Sequence, residues 1–147
     1  LTLDAKWLIC REICIPDHAQ LKLSLPVARE VQDNPATAEI FARTEKLLPA
    51  PLPKGWRVSA QSLKNAFVLT LQIGKALTKA EFFPLDQDQI DNAAPQKLQP
   101  SPTGIRITLK KSDLLMKPVS SLRGVLVIAG GGAYQLEAPV NAPKAVK

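Results

Sequence analysis

The strongest constraint on this chain is a two-residue alternation of apolar and polar side chains, interrupted repeatedly by proline or glycine. Leu1, Leu3, Ala5, Trp7 and Ile9 share one face, with Thr2, Asp4 and Lys6 on the other. The period returns at Leu21-Leu23-Leu25, Trp56-Val58-Ala60, Phe67-Leu69-Leu71-Ile73, Ile105-Ile107-Leu109, Val125-Val127 and Tyr134-Leu136-Ala138. Ala80 to Leu85 adds a further strand, closed by Pro84. Successive side chains of a strand point to opposite faces, so each run predicts a strand with one buried side. Roughly eight short strands divided by turn residues predict a mainly β chain, an antiparallel β-sandwich rather than a parallel α/β sheet. Thirteen prolines against seven glycines, with 5% aromatic residues, argue against a long-helix protein.

One segment departs from the period. Asn34 followed by Pro35 makes a helix start, with Asn as N-cap and Pro at the first helical position. Ile40, Phe41, Thr44, Leu47 and Leu48 then form a stripe at helical spacing, and Glu39 to Arg43 is a favourable i,i+4 pair. Pro49, Pro51 and Pro53 end the helix and impose an extended linker up to Gly55. The expected organisation is therefore a cysteine-bearing strand pair over 1–33, a connecting helix and Pro-rich linker over 34–54, a sandwich over 55–140, and a frayed tail over 141–147.

Composition bounds the function. The 147 residues are 46% hydrophobic and 22% charged, a globular balance. No apolar run reaches the roughly eighteen residues of a membrane helix. Nineteen basic against thirteen acidic residues give a net charge of +6, but the cations are scattered and Lys110-Lys111 is their tightest group. No RNA-binding aromatic signature accompanies them, so nucleic acid is not an expected partner. The chain opens at Leu1 with no signal-peptide pattern and reads as a segment of something longer.

The concentrated chemistry is Cys10-Arg11-Glu12-Ile13-Cys14, set between two alternating stretches. Three intervening residues in a hairpin-like loop bring two Cα atoms into disulfide range. So small a loop contributes only ~2 kcal/mol through chain entropy. A short, edge-exposed bridge is instead the easily reduced kind, suited to exchange. Two readings stand at this point, a minor structural disulfide and a redox-exchange pair. Arg11 favours a thiolate and Glu12 opposes it, which leaves the reacting sulfur open. Cys10, Cys14 and His18 follow a C-x3-C-x3-H spacing, with Asp17 or Glu12 as further donors. The second ligand pair of a structural zinc site is missing, and no metal or cofactor is expected. His18, the single histidine, follows Pro16-Asp17 and reads as an exposed turn residue. Asp86, Asp88 and Asp91 lack the glycine and glutamate of a calcium loop. Gly130-Gly131-Gly132 precedes a strand pattern and reads as a hairpin turn, and Trp7 and Trp56 as core residues.

The run Trp7-Leu8-Ile9-Cys10-Arg11-Glu12-Ile13-Cys14-Ile15-Pro16, with the alternating Leu21 to Val27, resembles the periplasmic region of DsbD-type thiol:disulfide interchange proteins. Phe82-Phe83-Pro84, Ile90 to Gln96, Gly124 to Val127 and Tyr134 to Val140 resemble later stretches of that family, in the same order. The resemblance implies an immunoglobulin-like fold and a protein-disulfide reductase activity, with Cys10 and Cys14 as the exchanging pair. It implies a periplasmic location, as a soluble segment of an inner-membrane protein. Its partners would be the transmembrane module of the same protein, which supplies electrons, and periplasmic thioredoxin-like or disulfide isomerase proteins, including those of cytochrome c biogenesis. Members shield the pair with a cap loop from an upstream strand, and this chain begins too late to contain it. The strands over 1–9 and 20–27 are accordingly expected to dock on the sandwich or to pair with another copy. Ile13, Ile15 and Pro16 offer an apolar rim that favours Cys14 as the attacking sulfur. The competing class is a non-catalytic sandwich scaffold carrying a static disulfide.

Overall fold

A computed structural model describes residues 1–10, 13–25, 27, 29–30 and 34–141. Arg11 and Glu12, and the tail beyond Asn141, lie outside the described residues. The elements are β1 (Thr2–Cys10), β2 (Cys14–Lys22), α1 (Pro35–Glu45), β3 (Ala50–Pro51), β4 (Arg57–Ser62), β5 (Ala66–Gln72), β6 (Ala80–Pro84), β7 (Lys97–Ser101), β8 (Gly104–Lys110), β9 (Ser121–Ile128) and β10 (Gly132–Asn141). They fall into two compact units, Leu1–Arg43 and Thr44–Lys147.

In the larger unit β4, β5, β8 and β10 follow the predicted alternation, whereas β9 takes the opposite phase and buries Leu122, Leu126 and Ile128 in place of the expected Val125 and Val127. Antiparallel register sets Phe67 opposite Leu109, Leu69 opposite Ile107 and Leu71 opposite Ile105. All six side chains are buried. They join Phe82 of β6, Leu122 and Leu126 of β9, and Leu136 and Ala138 of β10 in one core. The strands run in the order β6-β9-β10-β4-β5-β8-β7, with β3 beside β10, and the sheet curls into a mainly β, sandwich-like fold. Strand β10 links the two limbs. From Gly132 to Pro139 it runs antiparallel to β9; beyond Pro139, Val140 and Asn141 lie parallel to Ala60 and Gln61 of β4. Strands that change partners at a bend make the corners of such folds.

Sheet ends are unpaired backbone, and both are blunted here. On β6, the Phe82 N–H donates to Gln96 Oε1 (2.9 Å) and Gln96 Nε2 donates to the Phe82 carbonyl (2.7 Å). The side-chain amide thus makes the two bonds a neighbouring strand would make. On β7 the outer strand carries Lys97 and Pro100, residues that discourage further pairing. Two glycines of the β9–β10 turn have positive φ, Gly130 at 71° and Gly132 at 93°, which confirms the hairpin reading of the glycine triplet.

Three expectations need correction. The second strand spans Cys14–Lys22 rather than 20–27. Strand β7 lies outside the runs of alternation, and its Pro100 is tolerated because the strand is an outer one. Trp7 is 40% exposed rather than core, since its strand belongs to a two-stranded sheet with no second layer of its own. Trp56 does pack against the core, with its ring 4.9 Å from that of Tyr134. The segment expected as a linker also contributes structure, because Ala50 and Pro51 pair with Tyr134 and Gln135.

The acidic loop after β6 is tied to cations. Asp86 accepts from Arg123 on β9 through both carboxylate oxygens. Asp91 accepts from Lys110 (2.8 Å) and from the backbone N–H groups of Ala93 and Ala94. Hydrogen bonding to Arg123 holds the Asp86 carboxyl below its ordinary value, and Lys110 does the same for Asp91. A lowered native pKa gives a contribution that is complete above the unfolded value of about 3.9 and is lost as pH falls through the lower native one. Urea midpoints measured against pH will therefore fall below that value, and the Asp86→Asn, Asp91→Asn double variant will show a shallower acid limb. A second expectation concerns Gly124, where an added Cβ would meet the Phe83 carbonyl oxygen and the Phe82 ring. Gly124→Ala will cost roughly 1–3 kcal/mol in urea unfolding, the range typical of overpacking.

Candidate functional site

The site grows from the β1–β2 hairpin, whose register runs from Thr2 opposite Lys22 to Cys10 opposite Cys14. Leu23 N–H donates to the Leu1 carbonyl (2.9 Å), and the Leu1 amino group donates to the Leu23 carbonyl (2.8 Å). Leu1 and Leu23 are thus a hydrogen-bonded pair. Such pairs alternate along an antiparallel ladder with pairs that exchange no bonds. Counting along the continuous register makes Leu8/Pro16 and Cys10/Cys14 pairs of the second kind. Their Cα atoms stand about 4.5 Å apart, inside the roughly 4.4–6.8 Å span of disulfides. Cys14 is disulfide-bonded, and the chain has two cysteines. The backbone brings the two predicted site residues together.

The same parity explains how Pro16 sits inside a strand. At a pair that exchanges no bonds, the missing N–H would have pointed away from β1, so no ladder bond is lost. Pro16-Asp17 is therefore strand rather than the turn expected from sequence. The signal that could have revealed this is the even spacing of Cys14, Pro16, His18 and Gln20, which carries the period of two through the proline.

One face of the hairpin carries the Cys10/Cys14 pair, then Leu8 with Pro16, then Lys6 with His18. Lys6, Leu8, Pro16 and His18 line a shallow hollow with Trp7 and Asp17. The surroundings of the pair are apolar and open: Leu8, on the same face, is 64% exposed and Ile13, in the loop beside Cys14, 78%. This end of the hairpin presents a small-loop disulfide together with a hydrophobic rim. Chemically it can accept a thiolate in a docked partner and exchange sulfurs with it.

The metal alternative fails on distance. Cys14 and His18 share a strand face but are four residues apart, about 13 Å at the rise of a strand, whereas zinc ligands lie within roughly 2.0–2.3 Å of the ion. Among the described residues no group of three or more His, Cys, Asp and Glu side chains is placed to hold a metal ion. The larger unit holds a feature that sequence reasoning missed, a cleft lined by Pro51, Leu52, Phe83, Leu85 and Val125. Phe83 alternates with the buried Phe82, so its outward position was legible, but the approach of β3 was not. Of the tightest basic group, Lys110 is engaged by Asp91 and Lys111 donates to Ser62 Oγ (2.8 Å) and the Leu63 carbonyl (2.6 Å). No family model matches the chain, and no curated protein or solved structure matches it.

A bridge across a three-residue loop restrains little of the unfolded chain. Replacing both cysteines (Cys10→Ser, Cys14→Ser) will therefore lower stability by no more than about 2 kcal/mol, measured as the change in urea unfolding free energy.

Proposed function

We propose that the hairpin is a thiol–disulfide exchange module in which Cys10 and Cys14 pass electrons to oxidised protein partners. The observation that carries this reading is the placement of the cysteine pair at the last position of an exposed ladder, with Leu8 and Pro16 next to it on the same face. A structural staple gains most by closing a long loop, and this one closes a very short one.

In the reduced state one thiolate attacks a partner disulfide, forming a mixed disulfide and releasing the partner's other sulfur as a thiolate that takes up a proton. The second cysteine then loses its proton and attacks the mixed disulfide. The partner leaves as a dithiol, and the module is left as the disulfide. Two electrons and two protons have moved. Cys14 is the first attacker, because Ile13 precedes it and Pro16 shares its strand face, giving it an apolar docking rim. The resemblance to DsbD-type proteins supplies the wider setting: a periplasmic segment recharged by the transmembrane module of its own protein, serving thioredoxin-like or isomerase partners. The alternative, a scaffold with a static bridge, makes a different electrochemical prediction.

The test is the reduction potential of the pair, by equilibration in glutathione buffers, alkylation and mass spectrometry. An exchange pair will fall at about −180 to −270 mV, and a value well below about −300 mV would establish the static bridge instead.

A further inference from the structure

A two-stranded hairpin is at best marginally stable in water, and three or more strands with an apolar face are needed for independent stability. β1 and β2 form a two-stranded sheet. Its strands are nine residues long, and one face is a ladder of Leu1, Leu3, Ala5, Trp7 and Ile9 against Leu23, Leu21, Ala19, Asp17 and Ile15. The two outer edges differ. Residues that exchange no bonds across the hairpin direct their N–H and C=O groups outward. On β2 that outward set includes Pro16, which supplies no donor. On β1 the set is Thr2, Asp4, Lys6, Leu8 and Cys10, all with complete backbone groups. The β1 edge is a template for another strand, and the chemistry of its row says which one.

We infer that β1 pairs antiparallel with β1 of a second copy of this chain, in a two-fold register centred on Ala5, giving a four-stranded sheet β2-β1-β1-β2. Charge selects the register. In the pairing centred on Ala5, Asp4 of each copy stands opposite Lys6 of the other, and Thr2 stands opposite Leu8. A slip by one repeat in either direction is penalised. Centring on Lys6 sets Lys6 against Lys6, and centring on Asp4 sets Asp4 against Asp4; like charges directly opposite destabilise a sheet. On the apolar face the favoured register brings Leu3 against Trp7 and Leu1 against Ile9, so the ladder continues across the new seam. Asp4 is already held in the row, since its Oδ1 accepts from Gln20 Nε2 (3.0 Å). The residue Cys10 lies beyond the paired stretch, so the dimer carries a cysteine pair at each of its two ends. A two-fold axis makes this an isologous contact that closes on itself.

This inference rests on the β1 edge and stands apart from the exchange reading. The test uses the whole chain with its disulfide intact, in sedimentation velocity at high micromolar concentration and low salt. The wild type will be a dimer. Lys6→Glu and Asp4→Lys, each alone, set like charges opposite at two symmetric positions and will weaken dimerisation on the order of tenfold. Combining them swaps the charges and will restore it. A monomeric wild type, single reversals without effect, or a double variant as weak as the singles would each overturn the proposal. A second measurement guards against misfolded variants: Ala5→Cys with Cys10→Ser and Cys14→Ser will form an intermolecular disulfide under air, because the two Ala5 positions face each other at about 4.5 Å. Failure to cross-link there would also overturn the register.

Discussion

The antiparallel register of β5 against β8 is the constraint on which the larger unit depends. It places Phe67, Leu69 and Leu71 beside Leu109, Ile107 and Ile105, and a slip of one residue would turn one strand's three side chains to the opposite face from the other's. Every other strand of the sandwich is positioned relative to that buried block. β4 sets Ala60 against Leu69, β10 continues from β4 around the corner at Pro139, and β9 and β6 close over the core from the opposite limb. Gly124 belongs to the same scheme, as the point where the β6 backbone comes too close for any side chain.

The hairpin obeys the same pairing rules under opposite conditions. Its ladder is as regular as any in the sandwich, yet its apolar face has no second layer within the hairpin, and Leu3, Trp7, Ile9, Leu21 and Leu23 stay exposed. What holds it is backbone pairing, cross-strand contact and the bridge at its end. Elements with few buried contacts open at low free energy. An exchange pair must let a partner thiolate reach a sulfur in line, and a site on such an element gives that access more readily than one under a packed core. The β1 edge follows from the same shortage of strands, because among the described residues β1 has β2 as its one strand neighbour.

Much of the fold was legible from period alone. The phases of β4, β5, β8 and β10 agree with the alternation, and α1 starts at Pro35 directly after its expected cap, with the Asn34 carbonyl accepting from Ala38 N–H. The phase of β9 does not: Leu122, Leu126 and Ile128 face the core in place of Val125 and Val127. Prolines account for two of the differences. Pro16 and Pro100 both resemble loop signals, and both occupy strands, because what a proline costs depends on whether its missing N–H would have faced a neighbour. Local sequence carries no information on which edge of a strand will be paired. The cysteine pair was legible as a small-loop bridge, but its position on the hairpin depended on reading Pro16 correctly.

The sequence by itself determined the β period, the helix start and the closeness of Cys10 to Cys14, because all of these depend on residues within a few positions of one another. Tertiary structure decided which periodic runs became core and which stayed at the surface. Trp7 and Trp56 sit in runs of equal alternation, yet only Trp56 has the Tyr134 ring and the sandwich core beside it. Burial is a property of what arrives from elsewhere in the chain, and that follows from long-range strand pairing rather than from the local pattern.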